Sequence, residues 1–257
     1  MNGKKQSVLF VSHGSPMLML DQKDGADYAA WGKALTKPKA LLVFSAHWET
    51  DELMFGETDD HEELIYDFWG FPDELYKIRY PAPACPQLVD DINQVLKTKI
   101  PQKVRGLDHG VYVPFIHMWP QANVPILQMS LPRDYSNQAL FKLGKDLGPL
   151  REQNVLIIGA GALTHNLSAF NPANENHEPM DWAKAFDDWV AGVLTAQDYE
   201  GLFQWEQLAP HAKQNHPTPE HFKPLLIAAG AAVGDKVTYP TLGFSYGVFS
   251  RRSVQFA

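Results

Sequence analysis

Three apolar runs in this chain each lead to a histidine. They read Val8-Leu9-Phe10-Val11-Ser12-His13, Leu41-Leu42-Val43-Phe44-Ser45-Ala46-His47, and Val155-Leu156-Ile157-Ile158 followed by a small-residue stretch to His165. Imidazole is a versatile metal ligand and proton carrier, so three of them delivered to one place could hold an ion. A further pair sits in Asn215-His216-Pro217-Thr218-Pro219-Glu220-His221, just before an apolar segment. His216 and His221 are five positions apart, not the i, i+4 of a helical metal pair. Prolines 217 and 219 put His216 in a loop, and His221 is expected in the first turn of the next helix, where it could face the other histidines.

Each candidate competes with an ordinary structural histidine. His13 precedes Gly14 and Pro16, which allow close backbone approach and stiffen the turn, and a ligand role is favoured. His47 repeats that strand-end placement. Glu49, two residues on, shares its face in an extended strand and either orients His47 or is simply solvated. His165 follows Gly159-Ala160-Gly161-Ala162-Leu163-Thr164 and fits either a ligand or an acid–base group. His109, between Asp108 and Gly110, is the second acid–base candidate. His61, His117, His177 and His211 show no pattern and default to structural or solvated roles. Glu220 could supply a carboxylate, although a glutamate at a helix start is ordinary. Nucleophile readings are poor. Ser15 is not in a Gly-x-Ser-x-Gly elbow, Cys85 has no evident base, and no phosphate-binding loop is present.

The elements that must position these residues follow from the apolar pattern. Short unbroken Val/Leu/Ile/Phe runs are what strands buried on both faces look like, and such strands belong to parallel sheets. Open parallel sheets bind ligands beyond their carboxyl ends. Strands are expected at 8–13, 40–46, 103–107, 125–131 and 154–159. Helices are expected at 26–36, 86–98, from Phe115 to Trp119, 136–151, 180–195 and 219–232. Residues 50–82 read as a long excursion rich in proline and aromatics, and the segment 236–256 as a hairpin or edge strands. Strand–helix alternation argues for an α/β fold with a central sheet, and residues 1–257 read as a single domain.

Composition narrows the function. The 257 residues carry a net charge of −8, with 45% hydrophobic and 20% charged residues, which is ordinary for a globular protein and unsuited to nucleic acid. Lys4-Lys5 is only a short basic start. The single cysteine rules out an intrachain disulfide and suits a reducing compartment. No apolar run reaches the length of a membrane span, so the chain is expected in the cytoplasm, with no membrane or nucleic-acid partner. No feature specifies an oligomer, and a monomer is expected.

Taken in order, the motifs His-Gly-Ser-Pro at 13–16, Ser-Ala-His-Trp at 45–48, Asp-Phe-Trp-Gly-Phe-Pro at 67–72, Tyr-Pro-Ala-Pro at 80–83, Asp-His-Gly at 108–110, Thr-His-Asn-Leu at 164–167 and Pro-Thr-Pro-Glu-His at 217–221 resemble those of the extradiol ring-opening dioxygenases of the LigB superfamily. The resemblance is particularly to the 4,5-DOPA extradiol dioxygenase-like branch and covers nearly the whole chain. It implies an α/β sandwich with a central mixed, largely parallel sheet flanked by helices. It further implies a metal held by His13, His47 and His221, with His165 as the acid–base residue beside the metal or as a fourth ligand. His109 would hydrogen-bond the reacting oxygens, and Phe68, Trp69 and Phe71 would either wall an aromatic pocket or form a satellite core under the long excursion.

The implied reaction is Fe(II)-dependent cleavage of a catechol by O2, three protein ligands leaving positions open for both reactants. The wider superfamily generally uses two histidines and a glutamate, the set suited to non-haem iron. Here the third ligand looks like histidine, so Zn(II) is also plausible as the bound metal. Two alternatives stand beside this reading: a zinc hydrolase on the same site, and a non-catalytic scaffold of the same fold, against which the retained histidines argue.

Overall fold

The computed structural model describes residues 5–174 and 178–257; His177 and Lys4 lie outside them. In chain order the main elements are β1 (Val8–Ser12), α1 (Gln22–Ala34), β2 (Ala40–Thr50), β3 (Leu64–Ile65), α2 (Gln87–Leu96), β4 (Leu107–Asp108), α3 (His109–Met118), β5 (Ile126–Pro132), α4 (Asn137–Leu147), β6 (Val155–Gly161) and α5 (Asp181–Ala196). Three short helices follow, α6 (Tyr199–Phe203), α7 (Trp205–Leu208) and α8 (Ala212–Asn215), then α9 (Lys223–Ala231) and the C-terminal strands β7 (Val237–Thr238), β8 (Phe244–Ser245), β9 (Phe249–Ser250) and β10 (Val254–Phe256).

The central sheet has six strands in the order β5-β2-β6-β1-β10-β7. Its first four are mutually parallel, and β10 and β7 add antiparallel to the β1 side. This is the expected mixed, largely parallel α/β architecture. Alternating residues of each central strand enter different cores. Val8, Phe10, Leu42 and Phe44 face one core, built with α2, α4, α5 and α9. Leu9, Val11, Leu41 and Val43 face the other, with α1 and α3. Both faces being covered, the strands need apolar residues at every position, which is why they read as unbroken runs.

Several boundaries differ from the sequence pattern, each for a local reason. The helix expected from residue 26 begins at Gln22, because the Asp21 carboxylate accepts from the backbone N–H groups of Lys23 and Asp24 and caps it earlier. The strand expected at 103–107 reduces to Leu107–Asp108. Val104 is 75% exposed, and just before β4 the chain makes, among the described residues, only an isolated bridge, Gln102 with Phe55. The helix expected at 219–232 starts only at Lys223, which leaves His221 in the preceding turn. β2 continues four residues past its expected end, to Thr50. Among the described residues no helix is long and apolar enough to cross a membrane.

Candidate metal centre

β1, β6 and β2 run parallel, so their carboxyl ends share one edge of the sheet. His13 follows the last residue of β1, and His47 lies in the extension of β2. β6 lies between these strands and ends in Gly159-Ala160-Gly161, where the turn before α9 closes over it. A Cβ on Gly161 would sit 2.2 Å from the His221 carbonyl oxygen, so only glycine lets that turn come down and deliver His221.

The three imidazoles converge through their Nε2 atoms. His47 Nε2 is 3.3 Å from His13 Nε2 and 3.3 Å from His221 Nε2, and ligand atoms of all three lie within 4.8 Å of one another. Their Nδ1 atoms face outward to acceptors. His13 Nδ1 is 2.8 Å from the Gly14 carbonyl, His221 Nδ1 is 2.8 Å from Glu220 Oε1, and His47 Nδ1 is 3.3 Å from Asp67 Oδ2. A neutral ring that donates from Nδ1 carries its lone pair on Nε2. Burial holds the rings neutral. His13 and His221 are pushed well below the usual histidine range by burial and by neighbouring imidazoles. His47 is lowered to about 4 by burial and by His109, against the opposing pull of Asp108 and Asp67. Three lone pairs thus face one another across hydrogen-bond distances with no proton to share. That repulsion is relieved by a cation, and the donor set fits a divalent metal with its tautomers fixed from behind.

His165 and His109 flank this tripod. The His165 ring stacks on His221 at 3.5 Å between centroids. Its ligand atoms group with those of Glu220 and His221 rather than with His13 and His47. Burial and the neighbouring His216, His47 and His109 lower it to about 3. His109 opens α3 and lies 4.0 Å from the His47 ring. Its Nδ1 is 2.8 Å from Asp67 Oδ1, which also accepts from its backbone N–H. Burial would raise the Asp67 carboxyl, but the hydrogen bond and charge of His109, with His47, hold it near 2.

Beneath the site Asp108 is fully buried and accepts from Ser45 Oγ at 2.6 Å, Arg105 Nη1 at 2.7 Å and Gln128 Nε2 at 2.7 Å. Arg105 also donates to the His47 carbonyl at 3.0 Å.

Of the aromatic residues expected to wall a pocket, Phe68 reaches the site, 5.8 Å from the His109 ring, and packs on Phe71. Trp69 is 86% exposed. Gly70, at φ +77°, turns the chain between Trp69 and Phe71, so the two project differently. A second aromatic group went unread in the sequence. Phe249 lies 6.1 Å from His165 and next to Phe170. Glu49 is not the acid on the His47 ring. Its carboxylate is paired with Lys223, and the orienting acid is Asp67. His216 stands outside the tripod. It is buried against Phe186, Trp205 and Phe222, with Nε2 on the Leu163 carbonyl. His61 and His117 bond the carbonyls of Ile126 and Leu18, as structural histidines do.

Asp67 stands at the head of a motif visible in the sequence, yet nothing local marks it as the partner of residues 20 and 42 positions away. Glu220, which the sequence offers as a possible carboxylate, lies 2.8 Å from the His221 Nδ1.

This geometry and the sequence agree on a class. Residues 7–257 match the family model of the catalytic LigB subunit of aromatic ring-opening dioxygenase, and the chain belongs to that family. It is a metal-dependent, extradiol-type ring-cleaving enzyme of the DOPA dioxygenase-like branch. It is 41% identical over 236 residues to a 4,5-DOPA dioxygenase extradiol of Beta vulgaris, covering 88% of this chain and 87% of that protein. It is 32% identical over 268 residues to a protein of the same name from Escherichia coli strain K12, covering 99% and 96%. The crystal structure of an uncharacterized protein from Escherichia coli K12 superposes with a TM-score of 0.80 at 29% identity, covering 98% of this chain and all of that one.

Proposed function

We propose that this enzyme opens a catechol ring beside its hydroxyl pair with O2, using Fe(II) held by His13, His47 and His221, and that its substrate is a small catechol with a side chain, of the DOPA type. The observation that carries the reading is the set of three Nε2 lone pairs, each ring facing an acceptor behind it through Nδ1: the Gly14 carbonyl, the Glu220 carboxylate and the Asp67 carboxylate. Iron, when bound, supplies the electron transfer between catechol and O2 that protein side chains cannot.

The chain's own residues do the rest. His165, stacked beside the tripod, takes the proton a catechol hydroxyl loses on binding and returns one as the ring opens. His109 is held through Nδ1 by Asp67, which fixes the direction of the ring and turns Nε2 toward the reacting oxygens. With a proton on both nitrogens, the Nε2–H donates to those oxygens. Phe68 and Phe71 on one side and Phe249 on the other give apolar contact for an aromatic ring and limit water. The single cysteine supports action in a reducing compartment such as the cytoplasm, with the whole chain working as one catalytic domain.

An all-imidazole set also accommodates Zn(II), which would make the same pocket a hydrolytic centre. The test is anaerobic reconstitution with Fe(II), followed by a catechol panel read in oxygen uptake and visible absorbance. Ring opening requires both iron and oxygen. Activity with zinc in the absence of oxygen would support hydrolysis instead.

A further inference from the structure

We infer that the Glu49–Lys223 ion pair is a positioning device for the metal centre, holding His47 and His221 at their mutual distance. The inference rests on the reading of those residues as ligands. Glu49 stands two residues after His47, and Lys223 two residues after His221. Their side chains meet with Lys223 Nζ 2.6 Å from Glu49 Oε1. The pair therefore closes a short bridge between the two segments that carry the ligands.

The segment carrying His47 needs such a bridge. Pairing of β2 with β6 ends at Ser45↔Ala160. Pairing with β5 lapses after Phe44↔Met129 and resumes only at Glu49↔Leu131. His47 thus sits in a stretch of strand that no regular ladder fixes. The chain regains its register at Glu49, the residue Lys223 grips. Lys223 also donates to the Arg133 carbonyl at 3.2 Å, just past the end of β5, so one ammonium joins the ends of β2 and β5 to the turn holding His221.

The placement of the lysine points the same way. Lys223 is only 7% exposed and opens α9, where the helix dipole disfavours a cation and burial costs its hydration. Glu49 and the Arg133 carbonyl compensate locally. A pair serving stability alone gains little at this location, whereas a distance constraint between two ligands shows up in metal affinity.

The experiment is titration of metal-free protein with Co(II), read by visible ligand-field absorption and by competition with a chromophoric chelator, alongside thermal unfolding of the metal-free forms. Wild type should bind one Co(II), and His13→Ala should bind none. Glu49→Gln and Lys223→Met should each weaken binding about 10-fold or more. The double variant should be no weaker than the poorer single, because the two groups act as one. Lys223→Arg should recover most of the affinity. If Lys223→Met does not fold, Glu49→Gln, which keeps the side chain's size, decides together with Lys223→Arg. Wild-type affinity in a folded Glu49→Gln, with only its unfolding temperature lowered, would reduce the pair to a stability element and overturn the proposal. Absence of Co(II) binding by wild type, or equal binding by His13→Ala, would instead overturn the metal centre itself and the tie with it.

Discussion

The ring of His165 lies nearly flat on that of His221, centroids 3.5 Å apart and planes 11° from parallel. A stacked imidazole presents its edge nitrogens alongside the neighbouring ring and not along the direction in which that ring's Nε2 lone pair points. This geometry favours His165 as a proton carrier over a fourth ligand. His165→Ala should therefore retain metal while turnover falls about 10²- to 10⁴-fold. Metal analysis beside single-turnover kinetics checks this. Metal loss as complete as in His13→Ala, which should forfeit ion and activity together, would make His165 a ligand.

Asp67 grips two site histidines with its two oxygens, so its removal should act twice. Asp67→Asn is expected to weaken metal binding about 10- to 100-fold, through the loosened Nδ1 of His47, and to lower kcat through His109. His109→Ala should keep the metal and lose turnover. A metal titration of both variants separates the effects: equal affinity in the two would deny Asp67 its hold on His47.

With Fe(II) and air, a DOPA-like catechol should give a yellow product as oxygen is consumed in equal molar proportion, because ring opening extends conjugation through a new aldehyde and enolate. Zn(II) in the same protein should give neither signal, since it cannot change oxidation state. Simultaneous oxygen-electrode and absorbance traces decide it, and colour without oxygen uptake would contradict ring cleavage.

His216 gives a pH prediction independent of the metal. Burial lowers it to about 4 from its ordinary 6.5, against the opposing hydrogen bond to the Leu163 carbonyl. The unfolded chain takes up that proton below about pH 6.5, and the native chain only near 4. Its contribution to stability is therefore complete above 6.5 and is lost as pH falls through that window, by about 2 to 3 kcal/mol at most. Urea unfolding of metal-free protein at about pH 7 and pH 4.5 should show a smaller loss in His216→Gln than in wild type. Equal losses would place the acid sensitivity elsewhere.

What the sequence disclosed, and what it withheld, divides along a physical line. His13 and His47 were legible because a strand buried on both faces announces itself as an unbroken apolar run, and its end is then visible. His221 was legible as a residue but not in its setting. The turn that holds it depends on Gly161 admitting the backbone of a segment sixty residues later, which no local pattern encodes. Asp67 and Lys223 were hidden for the same reason. Each is an ordinary surface-type residue whose partner is chosen by tertiary approach. Trp69 misled because aromatic content says how much apolar area is present, not which way a left-handed glycine will turn it.

The close seating of the His221 turn on β6 has a consequence for how this enzyme can diversify. At Gly159 and Gly161 an added Cβ would strike the carbonyl oxygens of Pro224 and His221 at 2.3 Å and 2.2 Å, and backbone cannot yield as a side chain can. Variation that retunes substrate preference is therefore closed off on the floor of the site. It is left to the aromatic residues of the 50–82 excursion and to the β8–β9 hairpin, which reach the histidines through Phe68 and Phe249. New selectivities should be obtainable by exchanging those aromatic residues while Asp67 and the seat of the metal are kept unaltered.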